Sequence, residues 1–138
     1  MTSDGRQAGR PYTWERSGPA GENLCFAEHA DGFLSFSDPV RHDSGAKARI
    51  RFKKPHKPDD VNIAAWRELN DNGYPRGRAE RVRFHLKKRV ISGDVVAWDA
   101  IFRLRERGHY YLDVFAEWSG AHPCRGVSAS WTFHLKSV

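Results

Sequence analysis

Sulfur-containing residues and long apolar runs are scarce in this chain of 138 residues. No apolar stretch approaches the roughly 18 residues that a membrane-spanning helix needs. The first 23 residues also lack the continuous apolar segment of a signal peptide. The sequence therefore predicts neither a membrane span nor secretion, which slightly favours the cytoplasm and otherwise leaves the location unknown.

Catalytic motifs are missing as well. No Gly-x-Ser-x-Gly segment, Cys/His neighbourhood or phosphate-binding loop can be read in the sequence. The carboxylates of Asp59, Asp60 and Asp99 have ordinary explanations as turn or exposed-strand residues. We therefore expect a protein that is not an enzyme and that uses no cofactor.

The histidines and cysteines are scattered. Seven histidines show no paired spacing such as His-x-His, so no metal site is predicted. The two cysteines, Cys25 and Cys124, lie outside any cluster with zinc-site spacing, and whether they form a disulfide stays open. A disulfide would bring His29 and His122 close together, and these four residues are the one metal-ligand combination worth testing.

Positive charge outweighs negative charge. The chain has 23 Lys and Arg against 17 Asp and Glu, a formal net charge of +6. Such a balance favours encounters with polyanions, although it carries no information about the fold.

The chain divides into an arm and a domain. Residues 1–22 are rich in Gly, Pro and charged residues and show no periodic apolar pattern. We interpret them as a flexible arm whose aromatic residues, Tyr12 and Trp14, could anchor it to the body. Residues 23–138 are expected to form a single domain, because a chain of this length builds one core.

Apolar and polar residues alternate with period two from residue 33 onward, as in strands that bury one face. His85 and His134 fall on the outward positions of this pattern. The predicted inward residues are Ala48, Ile50 and Phe52; Val82, Phe84 and Leu86; Val96, Trp98, Ala100, Phe102 and Leu104; Tyr110, Leu112, Val114, Ala116 and Trp118; and Ala129, Trp131, Phe133 and Leu135.

The segment 61–69 is ambiguous. Asp59 or Asp60 could cap a short helix near residues 59–70, and Asn72-Gly73 could stop it. A strand is preferred, because residues 70–75 have strong turn chemistry between two strands. With a further short strand around residues 33–36 that ends at Asp38-Pro39, the count is about seven strands. This count predicts an all-β fold: a two-sheet antiparallel sandwich.

Over roughly residues 24–138, and best over the segment 104–112, the pattern resembles the immunoglobulin-like and fibronectin-type-III-like sandwiches. Gly108-His109-Tyr110 is similar to their Gly-x-Tyr approach to the penultimate strand, which implies that Tyr110 forms a tyrosine corner. Trp66 follows Phe52 at a spacing similar to that of the third strand's core tryptophan. Phe52 and Leu112 stand where antibody-type domains have cysteines, so the resemblance is architectural and to the cysteine-free members.

A narrower resemblance covers the end of the chain. Gly108-His109-Tyr110, the segment 118–123 and Gly126 look like the last strands of bacterial periplasmic copper carriers, and His29-Ala30 is similar to their N-terminal His-Ala. The resemblance implies a metal-binding sandwich. The chain departs from that pattern, because no Asp precedes His122-Pro123, one methionine gives no methionine-rich ligand set, and no export signal is seen.

A basic sheet face is the first functional prediction. In the usual immunoglobulin order, the strands over 48–53, 82–86 and 96–104 share a sheet. Their outward cations repel one another and Asp99 is the main acidic residue among them, so we expect the face to hold a polyanion. Lys and Arg on exposed strands also discourage edge pairing, and Glu80 or Glu106 could pair with them. No motif for sequence-specific nucleic-acid recognition is present. The predicted polyanion-binding residues are Arg49, Arg51, Lys53, Arg81, Arg83, Lys87, Arg103 and Arg105.

An aromatic face on the opposite sheet is the alternative. With Tyr110 and Leu112 inward, Tyr111 and Phe115 point outward among acidic residues, and Trp66 joins them if Ile63 and Ala65 are buried. Exposed aromatic clusters are typical of surfaces that bind proteins or glycans. The arm could instead cover this patch with Tyr12 and Trp14. The partner protein or polyanion is not identified by the sequence.

Overall fold

The computed structural model describes residues 9–21, 24–31, 34–119 and 126–138, with the backbone alone over 12–21 and 24–31. These residues form strands and no helix. The predicted short strand around residues 33–36 is not formed over its described part, residues 34–36. The strands are β1 (Arg10–Gly21), β2 (Leu24–Asp31), β3 (Val40–His42), β4 (Lys47–Phe52), β5 (Asp60–Trp66), β6 (Glu80–Arg81), β7 (His85–Ile91), β8 (Asp94–Arg103), β9 (Gly108–Ser119) and β10 (Gly126–Ser137).

The strands form two sheets, which confirms the prediction of an all-β sandwich. The large sheet has the order β2-β1-β10-β9-β5-β6, and the small sheet has the order β4-β8-β7. The pairing is antiparallel except where β3 runs parallel to the end of β10. The segment 61–69 contributes strand β5, paired with β9 from Asp60 to Trp66, so the preferred strand is confirmed and the helix is not formed.

The core lies between the two sheets and follows the predicted alternation except at the start of β8, where Val96 was predicted to face inward and is 38% exposed. Ala48, Ile50 and Phe52 are buried on β4, and alternate residues from Tyr110 to Trp118 are buried on β9. Ile63, Leu112 and Val114 are completely buried. A side chain of this size contributes about 1.5 to 3 kcal/mol when it is fully buried, so the facing apolar stripes stabilise the sandwich.

Two strands share the outer edge of β10. β1 pairs with residues 126–132 of β10, and β3 pairs with residues 135–137. Residues 10–21, which the sequence analysis assigned to the flexible arm, are thus a backbone-paired strand in the structure, whereas residues 1–8 lie outside the described part. The division of the chain near residue 22 stays a prediction.

Trp66 lies outside the core. Ile63 and Ala65 are the buried residues of β5, so Trp66 projects from the opposite face, across from Tyr111 of β9. The comparison of Trp66 with a third-strand core tryptophan is therefore wrong. Trp118 occupies the core instead, with its ring 5.8 Å from that of Phe52.

Candidate polyanion-binding face

The outer face of the small sheet carries six cations. The burial pattern of β4 directs Lys47, Arg49 and Arg51 outward. The register then places Arg103 of β8 beside Lys47, and Lys87 of β7 on the far side of Asp99 from Arg51. We call this set the basic face: Lys47, Arg49, Arg51, Lys87, Arg89 and Arg103.

Asp99 stands at the centre of the basic face. Arg51 binds it through two nitrogens of its guanidinium: Nε donates to Oδ1 at 2.8 Å, and a terminal nitrogen donates to Oδ2 at 3.2 Å. Arg49 lies 3.6 Å from the same carboxylate. These hydrogen bonds raise the pKa of Arg51 above its ordinary value, against an opposing effect of desolvation. One carboxylate thus faces six cations, leaving five positive charges uncompensated on the described face.

The face is concave between its outer strands. A cavity of about 330 Å³ is lined by Lys47, Arg49, Lys87 and Arg89, with Asp99 and Ile101 also in its wall. Small residues on β8 leave this depression: Ala97 and Asp99 are buried beneath the longer side chains of the two neighbouring strands. An anionic group that enters the depression meets cations from both edges of the sheet.

The structure brings together half of the predicted polyanion-binding residues. Arg49, Arg51, Lys87 and Arg103 lie on the basic face, and Lys53 follows the end of β4. Arg81 belongs to the other sheet, where β6 pairs with β5, and its Nε donates to Asn62 Oδ1 at 3.4 Å. Placing Arg81 in the small sheet was therefore wrong.

Arg81 lies in the large sheet because the chain crosses from one sheet to the other just after it. Val82 N–H still donates to Ile63 O of the large sheet, whereas β7 of the small sheet begins at His85. Residues 82–84 of the predicted strand over 82–86 are therefore a crossing between the two sheets, and residues 85 and 86 begin β7. A second cavity of about 650 Å³ lies beside this crossing, and its wall contains Arg81, Arg83, Arg103, Arg105, Glu80 and Glu106.

Two members of the basic face were missed in the sequence. Lys47 stands two positions before Arg49, and Arg89 stands two positions after Lys87, so both share the outward parity of a predicted residue. Extending the alternation by one step in each strand would have found them.

The predicted aromatic patch lies on the outer face of the large sheet. Trp66 is opposite Tyr111, and Phe115 is opposite Asn62. The Phe36 ring packs edge-on against Tyr111 at 5.2 Å, so the segment 34–38 covers part of the patch. Burial raises the pKa of Tyr111. Whether Tyr12 and Trp14 add to this cover stays a prediction, because their side chains lie outside the described part.

Two histidines are joined beneath the same segment. His134 has its predicted outward position on β10, opposite Tyr111, but the segment 34–38 covers it and leaves it 8% exposed. Its Nδ1 lies 2.8 Å from Ser37 O, and its Nε2 lies 2.8 Å from His109 Nδ1. A carbonyl oxygen can only accept, so His134 Nδ1 carries the proton, His134 Nε2 accepts, and His109 Nδ1 donates to it.

The described residues do not include a metal-binding cluster. Among the described residues, no three His, Cys, Asp or Glu side chains cluster in a way that could hold a metal ion. The side chain of Cys25 and all of Cys124 lie outside the described part of the chain, so their pairing and the Cys/His combination stay predictions.

No described helix is long and apolar enough to cross a membrane. No family model, curated protein or solved structure matches the chain.

Proposed function

We propose that this protein is a non-catalytic binding module that holds a polyanion on the basic face. The observation that carries the proposal is the surplus of five positive charges on one three-stranded sheet, where one buried carboxylate neutralises little of it. Like charges on adjacent strands destabilise a sheet by tenths of a kcal/mol per pair. An anion that bridges the strands removes this repulsion, so binding and folding favour the same arrangement.

We further propose that the sandwich is immunoglobulin-like. The order β4-β8-β7 facing β3-β10-β9-β5-β6 corresponds to the two sheets of that architecture. The parallel pairing of β3 with β10, the last strand, corresponds as well. Tyr110 supports the same proposal, because Glu106 N–H donates to its hydroxyl at 3.2 Å, as in a tyrosine corner. Fold alone does not choose a partner, so the binding proposal depends on the charges.

A salt titration tests the binding proposal. We expect the protein to bind heparin and duplex DNA at low ionic strength, with log affinity falling linearly against log salt concentration. If about three cations contact phosphates, the slope for duplex DNA is about −3. Affinity that does not change with salt, or no binding in low salt, would overturn the proposal.

A matched pair of charge reversals locates the binding surface. Arg49→Glu with Lys87→Glu changes two exposed cations on opposite edges of the basic face. Arg76→Glu with Arg78→Glu changes the net charge equally on the connection between β5 and β6, where both residues are exposed. We expect the first pair to weaken heparin binding by at least about tenfold. The second pair should weaken it less, because it changes the net charge of the protein but not the basic face. Equal losses would show that the basic face is not the site.

A second candidate uses the aromatic patch to bind a protein or glycan. Trp66 supports it, because this half-buried side chain stands beside Tyr111 on an outer sheet face. If so, Trp66→Ala abolishes partner capture from a host extract or a glycan array while heparin binding is retained.

A further inference from the structure

The hairpin of β7 and β8 extends beyond the sandwich. Leu86 is the one residue of β7 that packs against the core, and residues 87–91 are all exposed, including positions of both parities. A strand that is covered on one face would bury alternate residues. The distal half of this hairpin therefore has no facing sheet within the described part of the chain.

The exposed end of the hairpin is aliphatic. Val90 is 48% exposed, Ile91 50% and Val96 38%, and these are three of the five large hydrophobic residues that the described chain leaves exposed. A register shift between Arg89 and Val90 leaves Val96 as an extra residue opposite β7. We call residues 90–96 the hairpin tip.

A two-residue turn closes the hairpin tip. Ser92 and Gly93 join β7 to β8 with φ angles of 51° and 83°. Two positive φ angles at the central residues of a two-residue loop are typical of a type I′ turn, which matches the twist of the paired strands. The aliphatic side chains thus lie on paired strands, and ordering them on binding costs less entropy than ordering an irregular loop would.

Cations adjoin the tip directly. Lys87, Lys88 and Arg89 precede it on β7 and are all exposed, while Asp94 is the acidic residue within it. Lys87 and Arg89 also belong to the basic face. The apolar tip and the basic face are thus neighbouring parts of one small sheet.

We propose that the polyanion is the surface of an anionic lipid bilayer, and that the hairpin tip enters its interface. This inference rests on the proposed function, because the basic face supplies the contacts to the headgroups. A nucleic acid or sulfated glycan offers charge but no apolar layer that would take up Val90 and Ile91. A bilayer presents anionic headgroups directly above hydrocarbon, so it matches both parts of the sheet.

The two contributions reinforce each other. Each cation near an anionic leaflet increases binding by about fivefold, and this contribution is lost as salt rises. Burial of aliphatic side chains adds a contribution that salt does not screen. Stable attachment to a bilayer generally needs two such signals together, and here both are on the same hairpin.

The test measures sedimentation with vesicles of phosphatidylcholine alone and of phosphatidylcholine with one-third phosphatidylserine. The same samples are tested separately for heparin binding. We expect the protein to sediment with the anionic vesicles and to remain in solution with the neutral ones. Val90→Ser with Ile91→Ser should lower vesicle partitioning by about tenfold while heparin binding is unchanged. Tyr74→Ser, an exposed apolar residue between β5 and β6, is the matched control and should change neither.

A second variant tests the tip in the opposite direction. Ile91→Trp should raise partitioning to anionic vesicles, because tryptophan favours the membrane–water interface. Thermal melts of all variants check that the exposed substitutions leave the fold intact.

The outcomes separate this inference from the proposed function. If heparin binds but anionic vesicles do not, the membrane inference fails and the basic face stands as a site for nucleic acid or glycan. If tip variants sediment like the parent, the tip does not enter the bilayer and the inference fails. If the tip variants turn a dimeric parent into a monomer without affecting vesicles, the tip is a contact between copies. If neither heparin nor vesicles bind, both proposals fail.

Discussion

A single guanidinium holds the connection between β8 and β9. Arg67 Nε donates to His109 O at 2.8 Å, one terminal nitrogen donates to Arg107 O at 2.6 Å, and the other pairs with Glu106 at 2.6 Å. Its guanidinium also lies over the Tyr110 ring at 4.0 Å. Arg67 is not among the predicted site residues, because its partners are about 40 residues away along the chain and no local pattern marks them.

Replacing Arg67 tests how far this guanidinium stabilises the fold. Arg67→Lys keeps the charge but cannot reach two carbonyls and a carboxylate at once. We expect the free energy of unfolding to fall by about 1 to 2 kcal/mol in a urea titration, a value moderated by partial solvent exposure. Arg76→Lys on the exposed β5–β6 connection should change it by a few tenths of a kcal/mol. Similar losses in both variants would contradict the bridging role.

His134 should make stability depend on pH. Burial is the largest effect and lowers its pKa; the hydrogen bond to the Ser37 carbonyl opposes it, and the smaller effects of His109 and Asp38 lower and raise the pKa respectively. The unfolded chain therefore binds this proton more readily than the folded chain does. The contribution to stability is present above the ordinary pKa of 6.5 and is lost as the pH falls below that value towards the lowered pKa of the folded state.

Thermal melts between pH 7.5 and pH 5 measure this effect. His134→Asn should flatten the decline of the melting temperature on acidification, because the group that must remain neutral has been removed. His85→Gln, at an exposed position of β7, should decline as the parent does. A parent and a His134→Asn variant with the same pH dependence would show that the buried histidine is not responsible.

The residues of each strand that face the core could be predicted from the sequence, whereas the pairing of the strands could not. β4 and β9 alternate cleanly, and their buried residues follow the sequence pattern. β1 has no such pattern, because Pro11, Pro19 and Gly21 interrupt it. The register with β10 shifts between Pro11 and Thr13, and the register with β2 shifts between Pro19 and Gly21, as expected where a residue lacks a backbone donor. The place of β1 is thus set by the unpaired edge of β10, which no local signal reveals.

Removing the first two strands tests the importance of that edge. A chain without residues 1–31 leaves residues 126–132 of β10 without their partner β1. An unpaired edge next to a hydrophobic core promotes pairing between molecules. We expect self-association at micromolar concentrations in sedimentation velocity, with lower thermal stability. A monomeric truncated protein with the parent's melting temperature would show that β1 and β2 are dispensable.

The arrangement of the whole molecule determined which part of the candidate site could be predicted. Arg49 and Arg51 were placed correctly, because parity alone decides the face of a strand. Arg81 was misplaced, because the chain changes sheets between β6 and β7 and residues 82–84 alternate much as a strand would. Such a crossing is decided by which sheet offers a free edge, and that depends on all the other pairings.

Asp99→Asn links the charge of the whole face to binding. This substitution removes the one carboxylate that competes with an external anion and leaves a single acceptor oxygen in place of the two that Arg51 now uses. We expect tighter heparin binding by about three- to tenfold, together with a loss of about 1 to 2 kcal/mol in the free energy of unfolding. Lower stability together with tighter binding is the result expected if Asp99 neutralises cations that would otherwise hold an anion.

Asp71→Asn provides the control for net charge, because Asp71 is exposed on the turn between β5 and β6. It should leave stability unchanged and alter heparin affinity much less than Asp99→Asn does. Affinity is best measured by calorimetry at two salt concentrations, since the gain at a true polyanion site shrinks as salt screens the face. If both variants raise affinity equally, the protein responds only to its total charge, and the three strands β4, β8 and β7 do not form a distinct binding surface.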